Sequence, residues 1–190
     1  MKTYVKPTLF DTDKLKLWRT AFENIQLMLE RRDNYIFECI EHESILTFTN
    51  PENKKILLFF HYCDKMGIDT LRNLIQFAEY EGIRNIIIIL QNTWSTNCKK
   101  VIENLMHYDI EVFDLDEFQY DITTLYYFVP HEKLTKEDEI ATIRQSYGTS
   151  IPVILKSDPI AKYYKFDRGD IVKVWRNDFD QPSISYRIVR

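Results

Sequence analysis

The chain has 190 residues, of which 45% are hydrophobic and 14% aromatic, enough to bury a core and to exclude global disorder. The formal net charge of −4 is unevenly spread: residues 1–130 carry 14 basic and 20 acidic side chains, residues 131–190 carry 11 and 9. That balance argues against wrapping nucleic acid over the whole surface, because proteins that do so are usually strongly basic, whereas a local phosphate contact is still allowed.

Cys39, Cys63 and Cys98 are an odd number, widely spaced and without CxxC, so neither a disulfide framework nor a zinc knuckle is indicated and a reducing compartment is the default. MKTYVKPTLFDTDK lacks an apolar signal core, and no apolar run approaches the ~18 residues of a membrane span, so no secretion or membrane signal is expected.

In chain order, Asp13 is placed to cap a helix with Leu15, Trp18, Phe22, Ile25 and Leu29 on one face. YIFECI (35–40), SILTFT (44–49) and ILLFFHY (56–62) predict strands, with PENKK as the turn between the last two. Asp69 is expected to open a helix carrying Leu71, Leu74, Ile75 and Ala78, ended by Gly82 in a left-handed conformation. RNIIIILQ comes next, and five apolar residues without alternation predict a strand covered on both faces. A helix over 96–106 and a strand over 111–115 complete an α/β pattern with a partly parallel, mixed central sheet.

Pro130 and His131 mark a change of pattern, so domains are expected over 1–129 and 130–190. In the second, Thr135-Lys136-Glu137-Asp138 predicts a capped helix stopped by Gly148, and Asp158-Pro159 a second, short helix start with proline at its first position. DIVKVWR and SISYRIV alternate as two strands joined by NDFDQP, giving a small α+β unit.

Nucleotide binding is rejected because neither GxGxxG nor GxxxxGK[ST] occurs, and nucleophilic catalysis because no GxSxG occurs. His61 and Cys63 share a strand face but lack a second ligand pair, so core packing is the expectation and no metal. Glu52-Asn53-Lys54 has the spacing of restriction-type nucleases but lies in a predicted exposed turn without a partnering aspartate. Gln91–Lys100 offers Ser95, Thr96 and Asn97 at a helix N-terminus, with Lys99 and Lys100 beside them, as candidates for a phosphate contact; an ordinary capped helix start explains them equally. Lys165, Asp167, Arg168 and Asp170 alternate in sign, which suits a surface fixed against another protein by paired charges.

SDPIAKYYKFDRGDIVKVWR, preceded by His131, Leu134, Pro152 and Ile154 and followed by SYRIV, resembles the C-terminal assembly domain of the fifth subunit of eukaryotic RNA polymerases, a domain with a stand-alone counterpart in archaeal polymerases. Upstream, KLWRTAFENIQLMLERRDNYI is similar to that family's opening helix, and IIIILQN to its central strand before a DNA-facing loop. The sequence departs from the family at Ser95-Thr96-Asn97-Cys98, where the family has Thr-Pro-Ser-Ala, and at Tyr164-Lys165-Phe166, where it has Tyr-x-Gly.

The resemblance implies a non-catalytic subunit of a DNA-directed RNA polymerase, acting in transcription without cofactor, small-molecule ligand or membrane. Its assembly domain would clamp the largest subunit. Its N-terminal jaw domain, restriction-endonuclease-like without the nuclease site, would lie beside downstream double-stranded DNA. Asp158, Pro159, Tyr163, Arg168, Gly169, Lys173, Arg176, Tyr186 and Arg187 are then expected to form the docking surface or to shape the domain, with Tyr163 and Tyr164 as anchors. Ser95, Thr96, Asn97, Lys99 and Lys100 are expected near DNA. The remaining readings are a stand-alone nucleic-acid-binding adaptor and a restriction-type nuclease. Few glycines with many Ile, Lys, Asn and Tyr suit an AT-rich genome, leaving a large DNA virus (virion or cytoplasmic viral factory) and a divergent eukaryote (nucleus) both open.

Overall fold

The computed structural model describes residues 12–42, 44–62, 65–178 and 181–190, with the side chains of 12–15, 177–178 and 181–182 excepted. By packing, the chain divides between Tyr120 and Asp121. The sequence pattern changes later, at 129/130. Residues 121–130 belong with the second unit, since Val129 packs into its core and the Pro130 carbonyl accepts from the Trp175 amide at 3.0 Å.

The first unit runs α1 (Thr12–Asp33), β1 (Ile36–His42), β2 (Ile45–Thr49), β3 (Lys55–His61), α2 (Ile68–Tyr80), β4 (Asn85–Leu90), α3 (Thr96–Asn104) and β5 (Asp109–Asp114). The five strands lie in sequence order, β1 to β3 antiparallel and β3 to β5 parallel, so the sheet is mixed. Parallel neighbours need a crossover, and α2 and α3 supply the two crossovers. Leu57, Phe59, Ile86, Ile88 and Leu90 meet Leu71, Leu74, Ala78 and Cys98 on one face of the sheet. The alternate residues point the other way, where Trp18 of α1 meets Phe60 edge-on at 5.2 Å and Phe22 lies 5.7 and 6.3 Å from Phe37 and Phe48. Arg32, at the C-terminal end of α1, reaches Glu111 of β5 through two 2.9 Å bonds, tying the helix to the parallel end of the sheet.

Asp69 does not cap α2. Gly67 stands at the cap position without a side-chain bond, and Asp69, inside the first turn, pairs with Arg72 at 3.1 Å instead. The other end is as expected: Gly82 has φ +70°, with Ile83 N–H donating to Ala78 C=O and Gly82 N–H to Glu79 C=O, the double closure of a helix ended by a left-handed residue. α1 begins at Thr12, and the side chain of Asp13 lies outside those described.

The second unit holds a four-stranded sheet in the order β6 (His131–Lys133), β8 (Ile171–Asp178), β9 (Gln181–Val189) and β7 (Val153–Ile154), with β7 parallel to β9 and the other pairs antiparallel. Residues 179 and 180, in the expected turn NDFDQP, lie outside the described residues. One face packs Val172, Val174 and Val189 against Ala161 of α5 (Pro159–Tyr163) and Phe166. The other packs Ile171 against Leu134, Ile151 and Ile143 of α4 (Glu137–Tyr147). Thr135 does not cap α4. Lys136 takes that position without a side-chain bond, and Glu137, Asp138 and Glu139 in the first turn complement the helix dipole instead.

Replacing Ile88, fully buried in β4, by alanine is expected to cost about 2–5 kcal/mol in a chemical denaturation series. Ile36→Ala, at a position 69% exposed on the edge strand, should stay within about 0.5 kcal/mol.

Candidate functional site

The stretch 158–170 is set by backbone geometry at three points. Asp158 Oδ1 accepts from the Ile160 amide at 2.9 Å with Pro159 behind it, so α5 starts where a carboxylate and a proline both favour it. α5 ends with Phe166 N–H donating to Ala161 C=O and Lys165 N–H to Lys162 C=O, which puts Lys165 at φ +55° in the position glycine usually takes. Asp170 N–H then closes on Asp167 C=O at 3.0 Å with Gly169 at φ +93°, a turn that requires a left-handed third residue. Gly169 N–H donates to Val189 C=O and Val189 N–H to Asp170 C=O, both at 3.0 Å, so the turn is stapled to the end of β9.

These contacts separate roles that the sequence leaves merged. Asp158, Pro159 and Gly169 shape the unit. Tyr163, expected as an interface anchor or as part of the domain's core, is 7% exposed with its ring inside the fold, in edge-on contact with Tyr164 at 5.0 Å; Tyr164 stacks on Phe166 at 5.6 Å. Tyr186 packs into the core under α4, with its ring 6.2 Å from that of Tyr147. Arg168 projects from the tip of the turn, exposed. Lys173 lies over the Trp175 ring at 4.3 Å on the α4 side of the sheet. Arg176 and Arg187 share the opposite, α5 side by strand alternation.

His131 is not among the expected site residues, although it stands beside these arginines. Its Nδ1 meets Val129 C=O at 2.6 Å. Burial pushes its pKa down; the Val129 bond and Asp158 pull it back up, and Arg187 and Arg176 push it down again. The ion pairs Lys133–Asp170 at 2.8 Å and Lys156–Asp167 at 2.9 Å leave no signal in the sequence either, because their partners are far apart along the chain. Lys156 holds the Asp167 carboxyl below its usual range.

In the first unit, Ser95 caps α3, accepting from the Cys98 amide at 3.2 Å. The loop is pinned from below: Ser95 N–H donates to Met66 C=O, and Met66 N–H to Thr93 C=O. Cys98 is fully buried beneath it. Thr96, Asn97 and Lys100 stand at the surface, while Lys99 lies over the Trp94 ring at 5.3 Å. Glu52 and Lys54 pair with each other at 2.8 Å, 70% and 63% exposed, as a charged turn does. His61 is buried with Nε2 lacking a hydrogen-bond partner, and Cys63 lies outside the described residues. Among the described residues, no three His, Cys, Asp or Glu side chains are grouped to hold a metal ion, and no helix is long and apolar enough to cross a membrane.

Residues 120–189, the span holding α5, the stapled turn and the β8–β9 hairpin, match the family described as RNA polymerase Rpb5, C-terminal domain. The second unit is thus similar to the Rpb5 C-terminal domain. Similarity to whole proteins runs beyond it into the first unit. The chain is 25% identical over 145 residues to DNA-directed RNA polymerase V subunit 5A of Arabidopsis thaliana, covering 74% of this chain and 64% of that protein. It is 29% identical over 154 residues to putative DNA-directed RNA polymerase subunit 454R of Invertebrate iridescent virus 6, covering 75% and 80%. With DNA-directed RNA polymerases I, II, and III subunit RPABC1 of Caenorhabditis briggsae it shares 28% identity over 140 residues, covering 71% and 66%. The matched stretch thus spans a little under two thirds of the plant and nematode relatives.

Gly169→Ala is expected to lower stability by about 1 kcal/mol, because a Cβ at φ +93° is strained. Lys165→Gly should raise it by about 0.5–1 kcal/mol by relieving the same strain at φ +55°; thermal melting reads both. The buried His61 and half-buried His131 imidazoles both have pKa values below the ordinary 6.5. The unfolded chain therefore takes up protons first as pH falls through 6.5, so their contribution is complete above that pH and is lost below it. Urea midpoints should fall between about pH 7.5 and 5.5, with a shallower fall in the H61N/H131N variant.

Proposed function

We propose that this chain is a non-catalytic subunit of a multisubunit DNA-directed RNA polymerase. The second unit docks on the largest subunit, and the first is a restriction-endonuclease-like jaw held beside downstream double-stranded DNA during transcription. The observation that carries the reading is the agreement between the family match over 120–189 and the rigid α5–turn–hairpin assembly found in those residues. Similarity to polymerase subunits over 71–75% of the chain supports extending it to the first unit.

The chemistry of the jaw fits support rather than catalysis. Its nuclease-like Glu52-x-Lys54 spacing is an exposed ion pair in a turn. The loop carrying Ser95, Thr96, Asn97, Lys99 and Lys100 is pinned to the Met66 segment, which suits a fixed contact with a phosphate backbone. A cellular version works in the nucleus, and a virus-encoded one in the virion or a cytoplasmic viral factory.

Affinity purification of the tagged chain from its native source, with mass spectrometry, tests the assignment. Stoichiometric recovery of a polymerase with both large catalytic subunits is expected. Recovery of the chain alone, or with unrelated proteins, counts against it. In the recovered complex, K99E/K100E is expected to reduce photo-cross-linking of the chain to downstream DNA several-fold.

A further inference from the structure

The cations around the second unit's sheet differ in how they are engaged. Lys133 and Lys156 are closed on Asp170 and Asp167, and Lys173 is laid over an aromatic ring. Arg176 and Arg187 differ from these. Both are half-buried, and among the described residues neither has a carboxylate within ion-pair distance. Arg187 Nη1 reaches the Val153 carbonyl at a long 3.5 Å.

Strand register places the two. Arg187 stands opposite Val172, Arg176 opposite Ser183, and the row between them is occupied by His131 of β6 and Val174 of β8. All these positions lie on the α5 face. The His131 ring feels both guanidiniums, so each arginine lies within electrostatic reach of that ring. The Asp158 field reaches the same ring, but that carboxylate is engaged in capping α5. A guanidinium offers donors only and is stabilised most by a planar carboxylate in a two-pronged bond.

Resting on the polymerase-subunit reading, we infer that this face takes an Asp or Glu side chain from the protein partner, held by Arg176 and Arg187. Phosphate of a nucleic-acid backbone fits less well. A polyanion needs a row of free cations, whereas Lys133, Lys156 and Lys173 are already engaged and Asp158, Asp167 and Asp170 line the same stretch of chain. Lys173, on the opposite face, takes no part.

Three variants of the full chain, purified through a tag from the native source, test this. R176E/R187E should recover at least about tenfold less polymerase than wild type, while R144E, at an exposed position in the last turn of α4, recovers it fully; circular dichroism and melting check that each variant is folded. In complexes formed by R176K/R187K, a zero-length carbodiimide should link position 176 or 187 to an Asp or Glu of another subunit, which also decides the matter if charge reversal prevents folding. Full recovery with a folded R176E/R187E chain overturns the inference. So do carbodiimide links that form at other lysines but never at 176 or 187, and so does a reversal variant that keeps the polymerase but loses retention of a double-stranded DNA probe. If the wild-type chain itself recovers no polymerase, the subunit reading fails and this inference with it; recovery by both wild type and reversal variant fails the inference alone.

Discussion

Burial of β4 on both faces governs the first unit. A strand reading NIIIIL with every residue from Ile86 to Leu90 at 1% exposure or less cannot face water on either side. Helices must therefore cover both surfaces of the sheet, and parallel neighbours on either side require some of those helices to be crossovers. α2 and α3 meet that demand on one face. α1 covers the other, where Trp18 and Phe22 lie against the aromatic side chains of β1, β2 and β3. The bidentate Arg32–Glu111 pair then sets where the end of α1 sits, with a cation at the helix C-terminus, where the dipole favours it.

That arrangement brings the segments after β3 and β4 side by side. Met66 and Trp94 form a bridge there, and the start of α3 is locked onto it by the Ser95 and Cys98 contacts. A loop so constrained presents Thr96, Asn97 and Lys100 from a fixed base. Pre-organisation of this kind lowers the ordering cost of a contact, which matters more for a supporting surface than for a flexible binder.

The second unit works at smaller scale. Its sheet separates two modest cores, one under α5 and one under α4, so alternate residues of β8 and β9 do different jobs. Odd-numbered positions of β8 face α4, with Lys173 laid over Trp175 at that end; even-numbered positions face α5, with Arg176 beyond Val172 and Val174. The stapled turn at Gly169 fixes the register between α5 and the end of β9, and hence the height at which the arginines stand.

Strand and helix types are legible in the sequence because hydrophobic period is a local property: the unbroken IIIIL run, the three-and-four spacing of α1 and the alternation of β8 and β9 all appear as expected. So is the Asp158-Pro159 start, where both residues act within one turn, and the ending at Gly82. The caps expected at Asp69 and Thr135 do not form, since which residue stands at a helix start depends on how the preceding chain arrives, from the Met66 bridge in one case and from the Leu134 N–H bond to Ile171 in the other. The resemblance in residues 131–189 is also carried by sequence alone, because a set of glycine, proline and aromatic positions in order needs no coordinates. What only the tertiary structure decided is which charges are spent and which are free. Lys133 finds Asp170, Lys156 finds Asp167 and Arg32 finds Glu111 across gaps in the chain that no local pattern encodes. In the second unit it is this closure that leaves Arg176 and Arg187, among the described residues, as cations of the α5 face without a carboxylate partner.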